Sequence, residues 1–322
     1  MLSIKRLISG GIITNYYCTS HCRHCLYRSG PRWPHDYMDE KGARISFKVC
    51  KRLGCHLLHI GGGEPFLNVK GLFKVLTVAN HMDVAIEYIE TNSSWFKGHE
   101  IACDMLSKIK ELGVNTLLIS SSPFHLEHIP FGKVKGVVAA CKEVGIKPFI
   151  WTEDFFRMFQ ELDPSKRYSL DELMAQIGEK NLDAAIKRYW IHPGGRALNT
   201  FFNKGMSLQN ILASNPGGCK ELIDTTHFHI DLYGNYVPGL CAGLAIKVDD
   251  LGRPLDPSKY VVISTLFKHG IRGLFSFAQK ECGFEPKAVE YGSKCSLCYE
   301  IRSFFFGQGL FMNELVPSSH YV

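Results

Sequence analysis

The chain has 322 residues, of which 45% are hydrophobic and 21% charged, and its formal net charge at pH 7 is +6. This length allows one large core, or one core with a smaller appendage. The basic residues are scattered, which argues against a nucleic-acid partner. We also expect no membrane partner and a cytoplasmic location, because no charge-free apolar run reaches about 18 residues and no signal peptide is evident.

Through the first two thirds of the chain, runs rich in β-branched residues alternate with stretches of helical period. This pattern predicts βα units and a parallel sheet. The predicted strands cover residues 11–15, 56–60, 85–90, 116–120, 147–151 and 187–191. Six repeats indicate an α/β fold with a partial (β/α)6 TIM-like barrel, since a complete eight-fold barrel typically needs about 250 residues.

The pattern changes near residue 205. Residues 215–219 form a Pro- and Gly-containing breaker cluster, and the segment around Gly234 predicts a hairpin. We therefore predict a partial-barrel domain over residues 1–205 and a smaller domain over residues 206–322. The smaller domain has little regular structure but five cysteines, so a bound metal centre would supply the stability it lacks.

The chain has twelve cysteines, and three of them follow the first predicted strand with the spacing C-x3-C-x2-C. Cys18, Cys22 and Cys25 thus lie at the end of the sheet where parallel folds keep their active sites. Three thiolates on one loop fit a single metal centre. It is either zinc, with His21 or His24 as fourth ligand, or an iron-sulfur cubane with one open iron.

A glycine-rich loop with a carboxylate follows the second predicted strand. Glycines let a backbone approach a ligand closely, and a carboxylate binds a cationic group. Together with the cysteine triplet, this loop resembles the radical S-adenosylmethionine (radical SAM) enzymes, and the resemblance covers the first 200 residues. It implies a 4Fe–4S cluster on the triplet, with S-adenosylmethionine at its open iron. The loop residues are Gly62, Gly63, Glu64 and Pro65.

The resemblance also implies cofactor contacts from polar residues at other strand ends. His24 occupies the position of an aromatic residue that usually lies near the adenine, which is a departure from the family pattern. The Gly-Arg-Ala segment after the sixth predicted strand resembles one found in members that carry a C-terminal cluster domain. The cofactor-binding residues implied in this way are His24, Thr91, Asn92, Ser93, Ser120, Ser122 and Arg196.

Four cysteines of the C-terminal part predict a second metal centre. Cys295 and Cys298 form a chelating pair, and Cys219 and Cys241 flank the predicted hairpin. This arrangement resembles the SPASM or twitch extension of the family, which implies an auxiliary 4Fe–4S cluster. Cys282 is left open: it is a ligand in place of Cys219, a hydrogen donor to the substrate, or a buried structural thiol. As a hypothesis, Cys282 or Cys219 returns a hydrogen atom to the substrate.

Three histidines lie on or just after predicted strands. His125 follows the fourth strand at the active-site end and is a candidate for substrate contact in catalysis. His56 and His59 alternate with leucines on the second strand, and a structural histidine is the more usual interpretation there.

The resemblance implies reductive cleavage of S-adenosylmethionine to a 5′-deoxyadenosyl radical, which abstracts a substrate hydrogen. Auxiliary clusters often accompany modification of ribosomally made peptides, so epimerisation or crosslinking of a peptide is the favoured function. An oxidoreductase or isomerase of this type needs an electron donor such as flavodoxin or ferredoxin. The alternatives are a dehydrogenase or maturase acting on a small molecule, and a non-catalytic zinc or iron-sulfur binding module.

Overall fold

In the computed structural model, which describes residues 1–322, an eight-stranded sheet has the order β5-β4-β3-β2-β1-β7-β8-β9, and β6 pairs with β10 in a second sheet. The strands are β1 (Gly10–Ile13), β2 (Leu57–Gly61), β3 (Ala85–Thr91), β4 (Thr116–Ser120), β5 (Lys147–Trp151), β6 (Met206–Ser207), β7 (Phe228–Asp231), β8 (Asn235–Val237), β9 (Ile246–Lys247) and β10 (Glu290–Tyr291).

Strands β1 to β5 are parallel and pair in chain order, and helices connect them. The α-helices are α1 (Glu40–Arg52), α2 (Val69–His81), α3 (His99–Glu111), α4 (Pro123–Leu126), α5 (Phe131–Val144), α6 (Glu153–Met158), α7 (Leu170–Ile177), α8 (Glu179–Arg188), α9 (Ala197–Phe201), α10 (Leu208–Ser214), α11 (Val261–Cys282) and α12 (Lys294–Gly307). A capping box of Ser169 and Glu172 opens α7.

The predicted fold class is confirmed, but the sixth predicted strand is wrong. Residues 187–191 end α8 and continue as non-regular chain, because Leu182 and Ala185 recur at helical spacing and are buried on one side of that helix. The sixth parallel strand is instead β7, which pairs with the free edge of β1. The mainly parallel sheet is therefore completed by residues from the C-terminal third of the chain.

The hairpin predicted around Gly234 is present. Strands β7 and β8 are antiparallel, and Gly234 occupies the turn with a φ of +69°, a left-handed value that favours glycine. Since β7 to β9 extend the sheet that begins in the N-terminal part, the two predicted domains share one sheet. The division at residue 205 stays a prediction.

Helix α11 packs against the loop that precedes Cys219. The helix breaks at Gly270, where φ is +60° and an added Cβ atom would lie 1.9 Å from the carbonyl oxygen of Gly217. Only a glycine allows this close approach, and Cys219 N donates to the α11 carbonyl of Leu266 over 2.8 Å. No helix has the length and apolar character needed to cross a membrane.

Candidate functional site

The three cysteines of the N-terminal motif lie together on the loop after β1. Cys18 and Cys22 are buried and Cys25 is partly exposed, and none of them is in a disulfide. All three line a cavity of about 480 Å³ at the carboxyl ends of the parallel strands. The motif therefore lies where the sequence predicts it, after the first strand and at the carboxyl end of the sheet.

Hydrogen bonds reach the Cys18 sulfur from two sides. The Asn92 side-chain amide donates to Cys18 Sγ over 3.2 Å, and the backbone N–H of Ser20 donates over 3.4 Å. Burial raises the pKa of Cys18 to about 12, and it raises the pKa of Cys22 well above its usual value. A metal centre would displace these protons, since metals bind cysteine as the thiolate.

The glycine loop after β2 packs directly on the cysteine loop. A Cβ atom added to Gly63 would lie 2.1 Å from the carbonyl oxygen of Tyr17, and one added to Gly62 would lie 2.6 Å from the carbonyl oxygen of Asn15. Both glycines line the cavity. The backbone of this loop is therefore exposed to a ligand beside the cysteines.

The Glu64 side chain points into the protein, whereas the sequence predicts that it faces a ligand. Its carboxylate is fully buried and does not line the cavity. It accepts the backbone N–H of Asn92 over 2.6 Å, the N–H of Phe66 over 3.1 Å and the hydroxyl of Thr91 over 3.0 Å. Burial raises the pKa of Glu64 to about 7. This side chain faces the protein and ties the glycine loop to the end of β3, and its contact with a cationic group of the cofactor stays a prediction.

Arg196 also holds the cysteine loop. Its guanidinium donates from Nε to the carbonyl of Cys22 and from one terminal nitrogen to the carbonyl of Ser29, both over 2.7 Å. Its own N–H donates to the carbonyl of Cys25 over 3.0 Å. Gly195, with a φ of +55°, would bring a Cβ atom 2.1 Å from the carbonyl oxygen of Leu26. The Gly-Arg-Ala segment thus clamps the loop that carries the cysteines.

The other predicted cofactor-binding residues divide into two groups. Ser93 and Ser122 are buried and lie outside the lining of the cavity. The remaining residues line the same cavity as the cysteine triplet, and they are His24, Pro65, Thr91, Asn92, Ser120 and Arg196.

His125 lines this cavity as well and lies beside His24. The two rings are 5.0 Å apart in a T-shaped arrangement, and His125 Nδ1 lies 2.7 Å from the hydroxyl oxygen of Ser122. Burial lowers the pKa of His125 to about 4, so its imidazole is neutral at pH 7. His24 has a buried Nδ1 without a hydrogen-bond partner, and its other ring nitrogen lies 3.2 Å from the hydroxyl oxygen of Tyr189.

The structure gathers the four predicted C-terminal ligands in a second cavity of about 490 Å³. Cys219 precedes a short 3-10 helix, Cys241 follows the turn after β8, and Cys295 and Cys298 lie in the first turn and a half of α12. This cavity and the first one share His192 and Leu240 in their walls. The two cysteine groups therefore face neighbouring spaces.

Cationic side chains also line the second cavity. Arg302 is buried, and its guanidinium donates to the carbonyl of Ala242 over 3.1 Å but leaves Nε without a partner. Lys294 forms an ion pair with Glu221 over 2.8 Å, and Glu221 accepts the thiol of Cys219 over 3.0 Å. This surrounding favours a centre with net negative charge, such as one held by four thiolates.

Cys282 is not brought to either group. It is the last residue of α11, is partly exposed, and lines neither cavity. This position favours neither the ligand role nor the hydrogen-donor role of Cys282, and both stay predictions.

Each cysteine group shares one cavity, with three thiols in the first and four in the second. Three thiolates can hold a cubane with one open iron, and four can fill every ligand position of one.

Residues 12–155 match the family described as the Radical SAM superfamily. This match covers 144 of the 322 residues, and over that part the chain is similar to radical SAM proteins. This similarity implies a 4Fe–4S cluster and S-adenosylmethionine, and the cavity beside Cys18, Cys22 and Cys25 has the thiols and the close backbone to hold them.

Comparison with individual proteins adds little to this assignment. No curated protein matches the chain. The solved structure "Native anSMEcpe with bound AdoMet" is 15% identical, covers 95% of this chain and 98% of its own, and has a TM-score of 0.48. The structure of SuiB from Streptococcus suis is 15% identical, covers 88% of this chain and 69% of its own, and has a TM-score of 0.40. These similarities are too distant to assign an activity.

Sequence reasoning missed several residues of the first cavity. Tyr27, Tyr88, Glu90 and His229 line it, and no motif identifies them. Tyr88 and Glu90 are two positions apart on β3, so the sequence predicts that their side chains share one face. It does not show that this face is the barrel interior.

Proposed function

We propose that this protein reductively cleaves S-adenosylmethionine and uses the resulting radical to modify a ribosomally made peptide. One observation carries the first part of this proposal. Cys18, Cys22 and Cys25 line a single cavity with the exposed backbone of Gly62 and Gly63. This arrangement supplies three thiolates for one cluster and close backbone for the methionine part of the cofactor.

When bound, the cluster would supply an electron for cleavage of the sulfonium and thereby the radical that abstracts a substrate hydrogen. The protein's own residues hold and orient the participants. Arg196 and Asn92 fix the cysteine loop, Glu64 fixes the glycine loop, and the burial of Cys18 and Cys22 keeps water away from the reacting groups.

The proposal includes an auxiliary 4Fe–4S cluster on Cys219, Cys241, Cys295 and Cys298. Four thiols share one cavity with the guanidinium of Arg302, and four thiolates would fill every ligand position of one cubane. Because Cys219 lies among these ligands, its role as a ligand has more support than its role as hydrogen donor.

The substrate assignment rests on the sequence resemblance and on the mouth of the first cavity. Phe149 is 42% exposed and Trp190 is 62% exposed, and both line the cavity together with Trp151. Exposed aromatic side chains around a cleft suit the side chains of a peptide. His125 is the proposed residue for substrate contact, since its neutral imidazole can accept or donate a proton. Epimerisation and crosslinking are the two reactions proposed.

The test uses anaerobically reconstituted protein with S-adenosylmethionine and dithionite as reductant, with flavodoxin or ferredoxin as the proposed natural donors. We expect 5′-deoxyadenosine and methionine in equal amounts. Cys18→Ala should abolish both products, whereas Cys103→Ala, which changes a thiol of helix α3 outside both cavities, should not. Full iron loading with no 5′-deoxyadenosine would contradict the proposal. The mass of a treated precursor peptide then separates epimerisation, which leaves the mass unchanged, from crosslinking, which removes two hydrogens.

A further inference from the structure

We propose that His59, His227 and His229 form a binding site for a divalent transition metal, for which zinc is the best-suited ion, inside the barrel. One ring nitrogen from each histidine lies within 4.8 Å of those of the other two. Neutral imidazole is the ligand that zinc, copper, nickel and ferrous iron share. No cysteine takes part, so this site is distinct from both cysteine groups.

Strand register brings two of the histidines together. Gly11 of β1 pairs with His59 of β2 on one side and with His229 of β7 on the other. Their backbones are two strand spacings apart, about 9.6 Å, so the rings must reach across β1 to meet. They do so over Gly11, where an added Cβ atom would lie 2.3 Å from the His59 ring.

The distance between the two rings is compatible with metal coordination. His59 Nε2 and His229 Nε2 are 2.9 Å apart. With bonds of about 2.05 Å to zinc, this separation corresponds to an angle of about 90° at the ion. An outward shift of about 0.4 Å would bring the pair to the tetrahedral spacing of about 3.3 Å. The His227 ring centre lies 5.0 Å from that of His229 and 5.4 Å from that of His59.

Neighbouring side chains orient the histidines as outer-shell partners of metal sites do. The hydroxyl oxygen of Tyr27 lies 2.6 Å from His229 Nδ1, which leaves His229 Nε2 to face the other rings. The Tyr88 ring stacks on His59 at a centroid distance of 4.9 Å and an interplanar angle of 6°. Glu90 Oε1 lies 4.0 Å from His59 Nε2, so a carboxylate also stands beside this ring.

The site opens toward the cavity of the cysteine triplet. His227, His229, Tyr27 and Glu90 line that cavity. A metal held by three imidazoles keeps a position for an exogenous ligand, so it would bind an oxygen or nitrogen donor of a molecule in the cavity. A carboxylate or carbonyl group of the substrate has this chemistry.

The experiment measures zinc binding on the holoprotein. Protein with reconstituted iron-sulfur centres is dialysed anaerobically against buffered zinc, and zinc, iron and sulfide are counted in the same sample. We expect one zinc per chain in addition to the full iron content. X-ray absorption at the zinc edge should show nitrogen or oxygen neighbours at about 2.0–2.1 Å and no sulfur at about 2.3 Å.

Variants connect the zinc to the histidines. His229→Ala and His227→Ala should each weaken zinc binding by at least about tenfold, and Tyr27→Phe by about tenfold, because loss of an outer-shell partner costs roughly 10–100-fold. His56→Ala is the control. It removes an exposed histidine that directly precedes β2, and it should leave zinc binding unchanged. His227 is only partly buried, so its variant keeps the test valid where His229→Ala fails to fold.

Three results would overturn the site: no zinc retained by folded protein, zinc retained equally by the His227→Ala protein, or sulfur neighbours at the zinc edge. In the first case the short distance between His59 and His229 is a hydrogen bond between neutral imidazoles. None of these readouts depends on cleavage of S-adenosylmethionine, so the inference stands or falls separately from the proposed function.

Discussion

The two cysteine groups are assembled in opposite ways. Cys18, Cys22 and Cys25 lie within eight residues of one loop, which is held by hydrogen bonds from Asn92 and Arg196. The second group draws on three distant segments, and Arg302 and Lys294 line its cavity. The first arrangement can be recognised from local spacing, and it leaves a coordination position free. The second requires the finished fold, and it has ligands enough to close a cluster.

The largest expected effect comes from removing the first cysteine group, which tests whether the two groups hold separate centres. Alanine at Cys18, Cys22 and Cys25 together should abolish cleavage of S-adenosylmethionine but leave about four irons per chain, as one cubane contains. Iron and sulfide counts on anaerobically purified protein measure this. Loss of all iron from this variant would show that the two groups do not hold separate centres.

The clamp by Arg196 should affect only the first group. Arg196→Ala removes both guanidinium bonds to the cysteine loop, so we expect S-adenosylmethionine cleavage to fall about 10–100-fold. Arg196→Lys should restore little, because an ammonium cannot reach two carbonyls in the fixed geometry of a guanidinium. Arg188→Ala, which removes an exposed ion pair with Asp154, is the matched control. Equal losses in the Arg196 and Arg188 variants would contradict the clamp.

The contact between the two loops predicts a cost in stability. Gly63→Ala places a methyl group against the carbonyl of Tyr17 and should lower the free energy of unfolding by roughly 1–3 kcal/mol. Gly307→Ala has open space around the added atom and should change it little. Thermal or denaturant unfolding of the two variants, followed by circular dichroism, tests the difference. A Gly63→Ala protein as stable as the Gly307→Ala protein would refute the tight contact.

The smallest expected effect concerns the hydrogen bond to Cys18. Asn92→Ala removes a donor to the sulfur, and a donor favours the more negative, reduced cluster. The reduction potential of the first centre should therefore fall by on the order of 30 mV, while that of the second centre stays unchanged. Redox titration followed by electron paramagnetic resonance separates the two signals. A rise in potential, or a shift of the second signal alone, would count against this contact.

The sequence predicted the first five parallel strands and the loop that carries the first cysteine group, because these features depend on local periodicity and spacing. It misplaced the sixth strand. The segment Tyr189, Trp190 and Ile191 is apolar, as a strand would be. It directly follows α8, however, and the buried residues of that helix fix where the segment begins. The strand that pairs with β1 lies more than two hundred residues away, and no local pattern specifies such a partner.

The same limit applies to the candidate sites. Glu64 was expected to face a ligand, but its direction depends on the N–H groups at the end of β3. His59 looked like an ordinary structural histidine, since neither the register with Gly11 nor the nearness of His229 can be read from one strand alone. Cys219 and Cys241 do line one cavity, and the hairpin between them is a local signal for their nearness.

The pairing of β1 with β7 has a consequence for how this chain folds. Until β7 has been synthesised, one edge of β1 has no partner, so the nascent protein presents open backbone donors and acceptors. Closing that edge joins segments of very distant sequence position, and contacts of this kind make folding slow. The N-terminal two thirds therefore emerge from the ribosome with an exposed strand edge, and this period is when the chain is most exposed to aggregation.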